Sequence, residues 1–148
     1  MEELQIHRAG PDDLWPLLEL YTHLNLDKLP EDTYELRMVW TKIFSNANHI
    51  ILLGFLGDVP VSSCTLILVD NLTHGQRPYG LIENVITHAD YRGRGYATAL
   101  LHIAKEFAGS QGCYKLMLMT GSKDEKTLGF YRNAGYNAED KTGFVQWL

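Results

Sequence analysis

The chain has few of the residues that mark metal-binding or disulfide-rich proteins. Its 148 residues include two cysteines, Cys64 and Cys113, which lie far apart without metal-type spacing. Each lies in or beside an apolar, strand-like run, so both are predicted to be buried, reduced thiols. The six histidines are scattered, and no two have the spacing that would share a metal on one helix face. The sequence therefore predicts no metal site.

Long hydrophobic runs and excess basic charge are also missing. The longest apolar run, residues 50–56, is too short to span a bilayer, and Met1-Glu2-Glu3 does not resemble a signal peptide, so a cytoplasmic protein without a membrane partner is predicted. A net charge of -5 argues against a nucleic-acid partner. No linker divides the chain and 45% of its residues are apolar, so residues 1–148 are predicted to form a single domain.

What the sequence does contain is a glycine turn between a predicted strand and a predicted helix. Residues 81–87 have strand character, and apolar residues recur with helical spacing from Ala97 to Ala108. Glycines at 93 and 95 permit positive φ and leave bare N–H groups where the helix begins. The helix dipole, with Arg92 and Arg94, favours a bound phosphate or diphosphate. A tight turn with solvated arginines is the alternative.

The spacing of the glycines indicates which class of phosphate-binding turn this segment resembles. A dinucleotide-binding turn needs a glycine where this chain has Thr98, and the Gly-Lys-Ser/Thr triplet of a P-loop does not occur. The remaining pattern, Arg-x-x-Gly-x-Ala over residues 92–97, resembles the acyl-CoA signature of the GNAT acetyltransferases. A second segment, Phe130-Tyr131-x-x-x-Gly135-Tyr136, is similar to the Phe-Tyr-x-x-x-Gly-Phe segment of that family. The order of predicted elements agrees with the family over residues 4–148.

The elements predict an α/β fold, a mixed sheet with helices on both faces. Strands are predicted at 4–9, 50–56, 59–69, 81–87, 114–119 and 144–148. Four helices are predicted. The first begins at Pro11, the second follows a capping pair formed by Asp32 and Glu35, the third begins at Tyr96, and the fourth runs from Thr127 to a stop at Gly135. The family resemblance implies the acyl-CoA N-acyltransferase fold, which has three layers, α-β-α, around a mixed, largely antiparallel sheet.

The resemblance also implies a reaction, in which a primary amine of a small molecule or peptide attacks acetyl-CoA directly. The diphosphate is expected on Arg92, Gly93, Arg94, Gly95, Tyr96 and Ala97, and the extended arm beside Val85, Ile86 and Thr87. Tyr131 is expected to act as the acid for the departing thiolate, with a packed aromatic ring as the alternative. Glu83 is expected to act as a base, with a salt bridge or substrate contact as the alternative.

Other functions are also compatible with the sequence. The chain could be an acyl-CoA-binding sensor without catalysis, or it could transfer acyl groups to a hydroxyl or transfer a longer acyl group. Residues 82–84 and 112–115 are similar to glucosamine-phosphate N-acetyltransferases, but the family's frequent asparagine is missing between Leu116 and Arg132. The predicted closing strand, which contains Trp147, would leave an apolar sheet edge, so a homodimer is predicted.

Overall fold

The computed structural model describes residues 2–25 and 27–148, which fall into two compact units divided between Met117 and Leu118. The elements of the first unit, in chain order, are β1 (Leu4–Arg8), α1 (Leu14–Tyr21), α2 (Tyr34–Phe44), β2 (His49–Leu56), β3 (Val59–Val69), α3 (Thr73–Gln76), β4 (Tyr79–Thr87) and α4 (Tyr96–Ser110). Strand β5 (Leu116–Leu118) follows, and α5 (Glu125–Asn133) is the helix of the second unit. In the described parts of the chain, each helix is too short or too polar to cross a bilayer.

The sheet has the order β1-β2-β3-β4-β5, and its first four strands pair antiparallel. Beside β4, the Tyr114 N–H donates to the Pro78 carbonyl and the Gly80 N–H donates to the Lys115 carbonyl, each at 3.0 Å. Because residue numbers rise together on both sides, this last pairing is parallel, as a crossover through α4 requires. The predicted mixed, largely antiparallel sheet is confirmed.

Helices pack on both faces of this sheet within the first unit. Ile51 and Leu53 of β2 belong to the same buried cluster as Leu17 of α1. Gly54 lies on the opposite face of β2 from Ile51 and Leu53. A Cβ atom added at Gly54 would lie 3.3 Å from the side chain of Leu100 of α4. Since successive residues of a strand point to opposite faces, α1 and α4 lie on opposite sides of the sheet. This is the predicted three-layer α-β-α arrangement.

The first two helices differ from the prediction at their ends. Helix α1 ends at Tyr21, and Leu24 is 40% exposed rather than part of the buried stripe. The N-cap of α2 is Thr33, whose hydroxyl accepts the Leu36 N–H at 3.1 Å. Asp32 instead forms an ion pair with Arg37 at 2.7 Å. The predicted capping pair was therefore one residue out of register, because Asp and Thr are both good N-cap residues.

The predicted closing strand is wrong. Residues 144–148 have no strand structure, and Phe144 and Trp147 are almost fully exposed, at 89% and 92%. Alternating apolar residues form a strand only where a neighbouring strand satisfies their backbone groups, and strand propensity alone does not supply that neighbour. The cysteine prediction holds for Cys64, which is buried, whereas Cys113 is partly exposed.

Candidate functional site

The glycine turn has the backbone that its sequence predicts. Strand β4 ends at Thr87, a 3-10 turn spans Ala89–Tyr91, and α4 begins at Tyr96. Gly93 and Gly95 have φ values of +74° and +82°. Within the described part of the chain, and apart from the adjoining residues, no atom lies within 4 Å of the position where either Cβ would stand. Gly95 is the N-cap of α4, and no described side chain caps this helix. The first N–H groups of α4 therefore face open space, which suits an anion.

Both arginines of the turn bind backbone carbonyls. Arg92 donates from Nε to the Thr87 carbonyl at 3.2 Å and from Nη2 to the His23 carbonyl at 3.3 Å. Arg94 donates from Nη2 to the Asp90 carbonyl at 3.1 Å and lies 5.1 Å above the Tyr91 ring. Among the residues that the structure describes, neither guanidinium forms an ion pair with a carboxylate. Their positive charge is therefore available to an anionic ligand.

Strand β4 contains a β-bulge just before the glycine turn. Thr65 pairs with Glu83 and Ser63 pairs with Ile86, so Cys64 stands opposite two residues, Asn84 and Val85. Asn84 has a φ of +51°, a left-handed conformation inside a strand. A bulge of this kind bends the strand and frees backbone groups from the ladder. Of the predicted backbone-binding residues, Val85 belongs to this bulge, and Ile86 and Thr87 follow it directly.

A polar cluster lies at the bulge. The Thr65 hydroxyl is buried and has no well-aligned hydrogen-bond partner in residues 2–25 and 27–148. The pKa of Tyr21 is raised by burial, and the neighbouring side chains of Thr65 and Asn84 act in the opposite direction. Tyr21 therefore brings its hydroxyl from the last residue of α1 to β3 and β4. Sequence reasoning placed Tyr21 only on a buried stripe and missed this cluster, although Asn inside a strand is a visible signal.

The structure places the two predicted catalytic residues in different units. Glu83 is exposed on β4, next to the bulge. Tyr131 lies on α5 of the second unit, where its ring contacts those of Phe130 and Tyr136, with centroids 4.9 and 6.3 Å away. The helix stop at Gly135 is confirmed, since its φ is +99° and the Tyr136 N–H donates to the Tyr131 carbonyl at 3.0 Å.

Other groups with reactive chemistry include the thiol of Cys64 and the metal-ligating side chains. Burial raises the pKa of the Cys64 thiol to about 12, so Cys64 is no nucleophile near neutral pH. Across residues 2–25 and 27–148, no three His, Cys, Asp or Glu side chains form a group that could hold a metal ion.

Comparisons with known proteins agree with this fold. The family described as "Acetyltransferase (GNAT) family" matches residues 14–136, so the chain belongs to the GNAT family. A structure of a candidate acetyltransferase from Agrobacterium tumefaciens str. C58 has 38% identity and a TM-score of 0.90, covering 97% of this chain and 99% of that one. An acetyltransferase structure from Trypanosoma brucei has 27% identity and a TM-score of 0.82, covering 98% of this chain and 100% of that one.

Matches to curated protein sequences are shorter. A glucosamine 6-phosphate N-acetyltransferase from Trypanosoma brucei brucei is 37% identical over 81 residues, which are 55% of this chain and 53% of that protein. An acetyltransferase from Yersinia pestis (strain Pestoides F) is 36% identical over 53 residues, or 36% of this chain and 38% of that protein. The matches thus span about half or less of these relatives.

Proposed function

We propose that this chain is an N-acetyltransferase that moves an acetyl group from acetyl-CoA to a primary amine of a small molecule or peptide. The observation that carries the proposal is the continuous segment 83–97, in which a strand bulge leads into an uncapped helix N-terminus. The N–H groups of Arg94 to Ala97 bind the diphosphate, and Arg92 adds charge. The backbone of Val85, Ile86 and Thr87 holds the extended arm of CoA.

The acceptor amine attacks the thioester carbonyl, and a backbone N–H near Val85 or Ile86 stabilises the oxyanion that forms. An alkyl amine with a pKa of about 10.4 is charged near neutral pH, and removing its proton costs roughly 4 kcal/mol. Glu83 accepts that proton directly or through water. Tyr131 donates to the departing CoA sulfur. The remaining contribution comes from positioning the two substrates.

The first acceptor to test is glucosamine 6-phosphate, because a relative with that name is 37% identical over 81 residues. The experiment follows CoA thiol release from acetyl-CoA with glucosamine 6-phosphate, other amino sugars, amino acids, polyamines and peptides. Release with at least one amine supports the proposal. Tight CoA binding without release for any acceptor would favour a non-catalytic acyl-CoA sensor, and release with alcohols or longer acyl-CoA would favour the other two alternatives.

We also propose that the protein is a cytoplasmic homodimer that needs no metal. The dimer is supported by the exposed apolar residues at the end of the chain, including Phe144 and Trp147, which a second copy would cover. Sedimentation at micromolar concentration tests it, since a mass near one chain would contradict a dimer. Activity that is unchanged after treatment with a chelator is the result expected without a metal.

A further inference from the structure

Two histidines connect the end of α1 to the turn that precedes the glycines. The rings of His23 and His88 lie 4.1 Å apart between centroids. The Nδ1 atom of His23 accepts the Ala89 N–H at 3.4 Å, and the Nδ1 atom of His88 accepts the Asp90 N–H at 3.2 Å. Both rings therefore use Nδ1 as an acceptor, which is possible only for a neutral imidazole whose proton is on Nε2.

His23 also binds Arg92 through its backbone carbonyl. The His23 carbonyl accepts from Arg92 Nη2, and the Thr87 carbonyl accepts from Nε of the same guanidinium. His23 thus contacts the turn 88–92 in three ways, through its tilted ring contact with His88, its Nδ1 atom and its carbonyl. Each of these contacts lies immediately before Gly93.

We propose that His23 and His88 form a neutral imidazole pair that holds the turn 88–92 in place and so positions Arg92 for the CoA diphosphate. His23 and His88 are positioning residues in this proposal, which rests on the proposed function because Arg92 acts through CoA. Protonation of His23 at Nδ1 removes the acceptor of the Ala89 N–H. The turn then loosens, and CoA binding weakens as the pH falls.

The surroundings of His23 favour its neutral form, through burial first and through neighbouring basic groups second. Charged or titratable groups near it are Arg92, Asp90 and Tyr91 of the turn, together with Glu19, which lines a cavity of about 290 Å³ with both imidazoles. The pKa of His23 is lowered by burial, then by His88 and Arg92, with Asp90 acting in the opposite direction.

The test measures the CoA dissociation constant from about pH 8 to about pH 5, the range over which histidine titrates. His23→Asn keeps an acceptor oxygen at the position of Nδ1 but does not titrate, whereas His23→Leu has no acceptor. The matched control is His102→Asn, on the exposed face of α4. The ratio of wild-type to His23→Asn affinity cancels the titration of CoA itself.

We expect that ratio to fall about three- to tenfold toward acid pH, as the loss of one hydrogen bond predicts. His23→Leu should bind CoA weakly at every pH, and His102→Asn should follow the wild type. Identical pH profiles for wild type and His23→Asn, or tighter wild-type binding in acid, would overturn the proposal.

A second measurement separates this inference from the proposed function. Long-range proton–nitrogen NMR spectra report which ring nitrogen of His23 carries the proton near neutral pH, whether or not CoA binds. A proton on Nε2 is expected, and a proton on Nδ1 would overturn the imidazole pair. Absence of CoA binding by every variant would instead reject the proposed function, and with it the role of Arg92.

Discussion

The segment from β4 to the start of α4 and the helical segment from α1 to α2 build their surfaces by opposite means. In residues 79–97 the backbone itself is unusual, with left-handed conformations at Asn84, Gly93 and Gly95. In residues 14–44 the helices are regular, and polar side chains at their ends supply the functional groups. Tyr21 is one example and Thr33 is another.

This difference has a physical consequence for substitutions. Backbone devices depend on conformations that few residues tolerate, so a single side chain added there blocks both the conformation and the ligand. A helix surface depends on side chains that can be exchanged with small energetic effects. We therefore expect the largest losses of CoA binding in residues 79–97 and only changes in stability at the α2 cap.

The largest effect is expected for Gly95→Val, which tests whether residues 79–97 bind CoA through their backbone. A β-branched residue at a φ of +82° is strained, and its side chain would fill the open space before α4. We expect CoA affinity measured by calorimetry to fall by about 100-fold or more, since the cradle would lose several hydrogen bonds to charged oxygens. Gly109→Val, in α4 with open space around it, is the matched control. Wild-type affinity in Gly95→Val would place the diphosphate elsewhere.

The next prediction concerns Tyr131, which lies outside both segments. Tyr131→Phe should lower kcat about 100-fold, the low end for a proton-transfer group, because CoA thiolate is a fair leaving group. CoA affinity should stay nearly unchanged, since the bond to sulfur strengthens only as the C–S bond breaks. Tyr136→Phe removes a hydroxyl from the same unit and is the control. An unchanged kcat would exclude Tyr131 from the mechanism, and weak CoA binding would make it a packing residue.

Glu83 tests whether residues 79–97 also supply a side chain to the chemistry. Glu83→Gln should lower kcat/KM for the amine about tenfold near neutral pH if the carboxylate removes the amine proton. The loss should shrink as the pH approaches the pKa of the acceptor amine, about 10.4 for an alkyl amine, because free amine then becomes abundant. Glu106→Gln, an exposed charge change on α4, is the control. A loss that is the same at every pH would indicate a binding contact.

The two segments also explain what could be predicted from the sequence. The glycine turn was recognisable because positive φ demands glycine, so its backbone leaves a spacing pattern in the sequence. The bulge at Asn84 was missed because asparagine only tolerates that conformation, and the register that creates the bulge depends on Thr65 and Ser63 of β3. The cluster of Tyr21, Thr65 and Asn84 joins residues distant in sequence, which helical or strand periodicity cannot bring together.

The prediction of the closing strand failed for a related reason. Residues 144–148 carry apolar residues suited to a strand, but pairing requires a partner that the local sequence does not specify. The His23 and His88 pair was missed because histidines 65 positions apart show no pattern, and only the tertiary fold brings their rings into contact.

The smallest effect is expected for the N-cap of α2. It tests the prediction that substitutions in residues 14–44 change stability and leave CoA binding unchanged. Thr33→Ala removes the hydroxyl that accepts the Leu36 N–H, so the free energy of unfolding should fall by about 1 kcal/mol while the CoA dissociation constant stays unchanged. Asp32→Asn is the matched variant and should have a smaller effect, because its ion pair with Arg37 is half exposed.

The two residues can also be separated by pH. The hydrogen bond from Arg37 lowers the pKa of Asp32 below its ordinary value of 3.8. The contribution of this ion pair is therefore present above that pH and is lost as the pH falls through the lower folded-state pKa. Denaturant titrations should show the small deficit of Asp32→Asn disappearing in acid, while the deficit of Thr33→Ala persists. A free energy of unfolding for Thr33→Ala equal to that of the wild type would contradict Thr33 as the cap of α2.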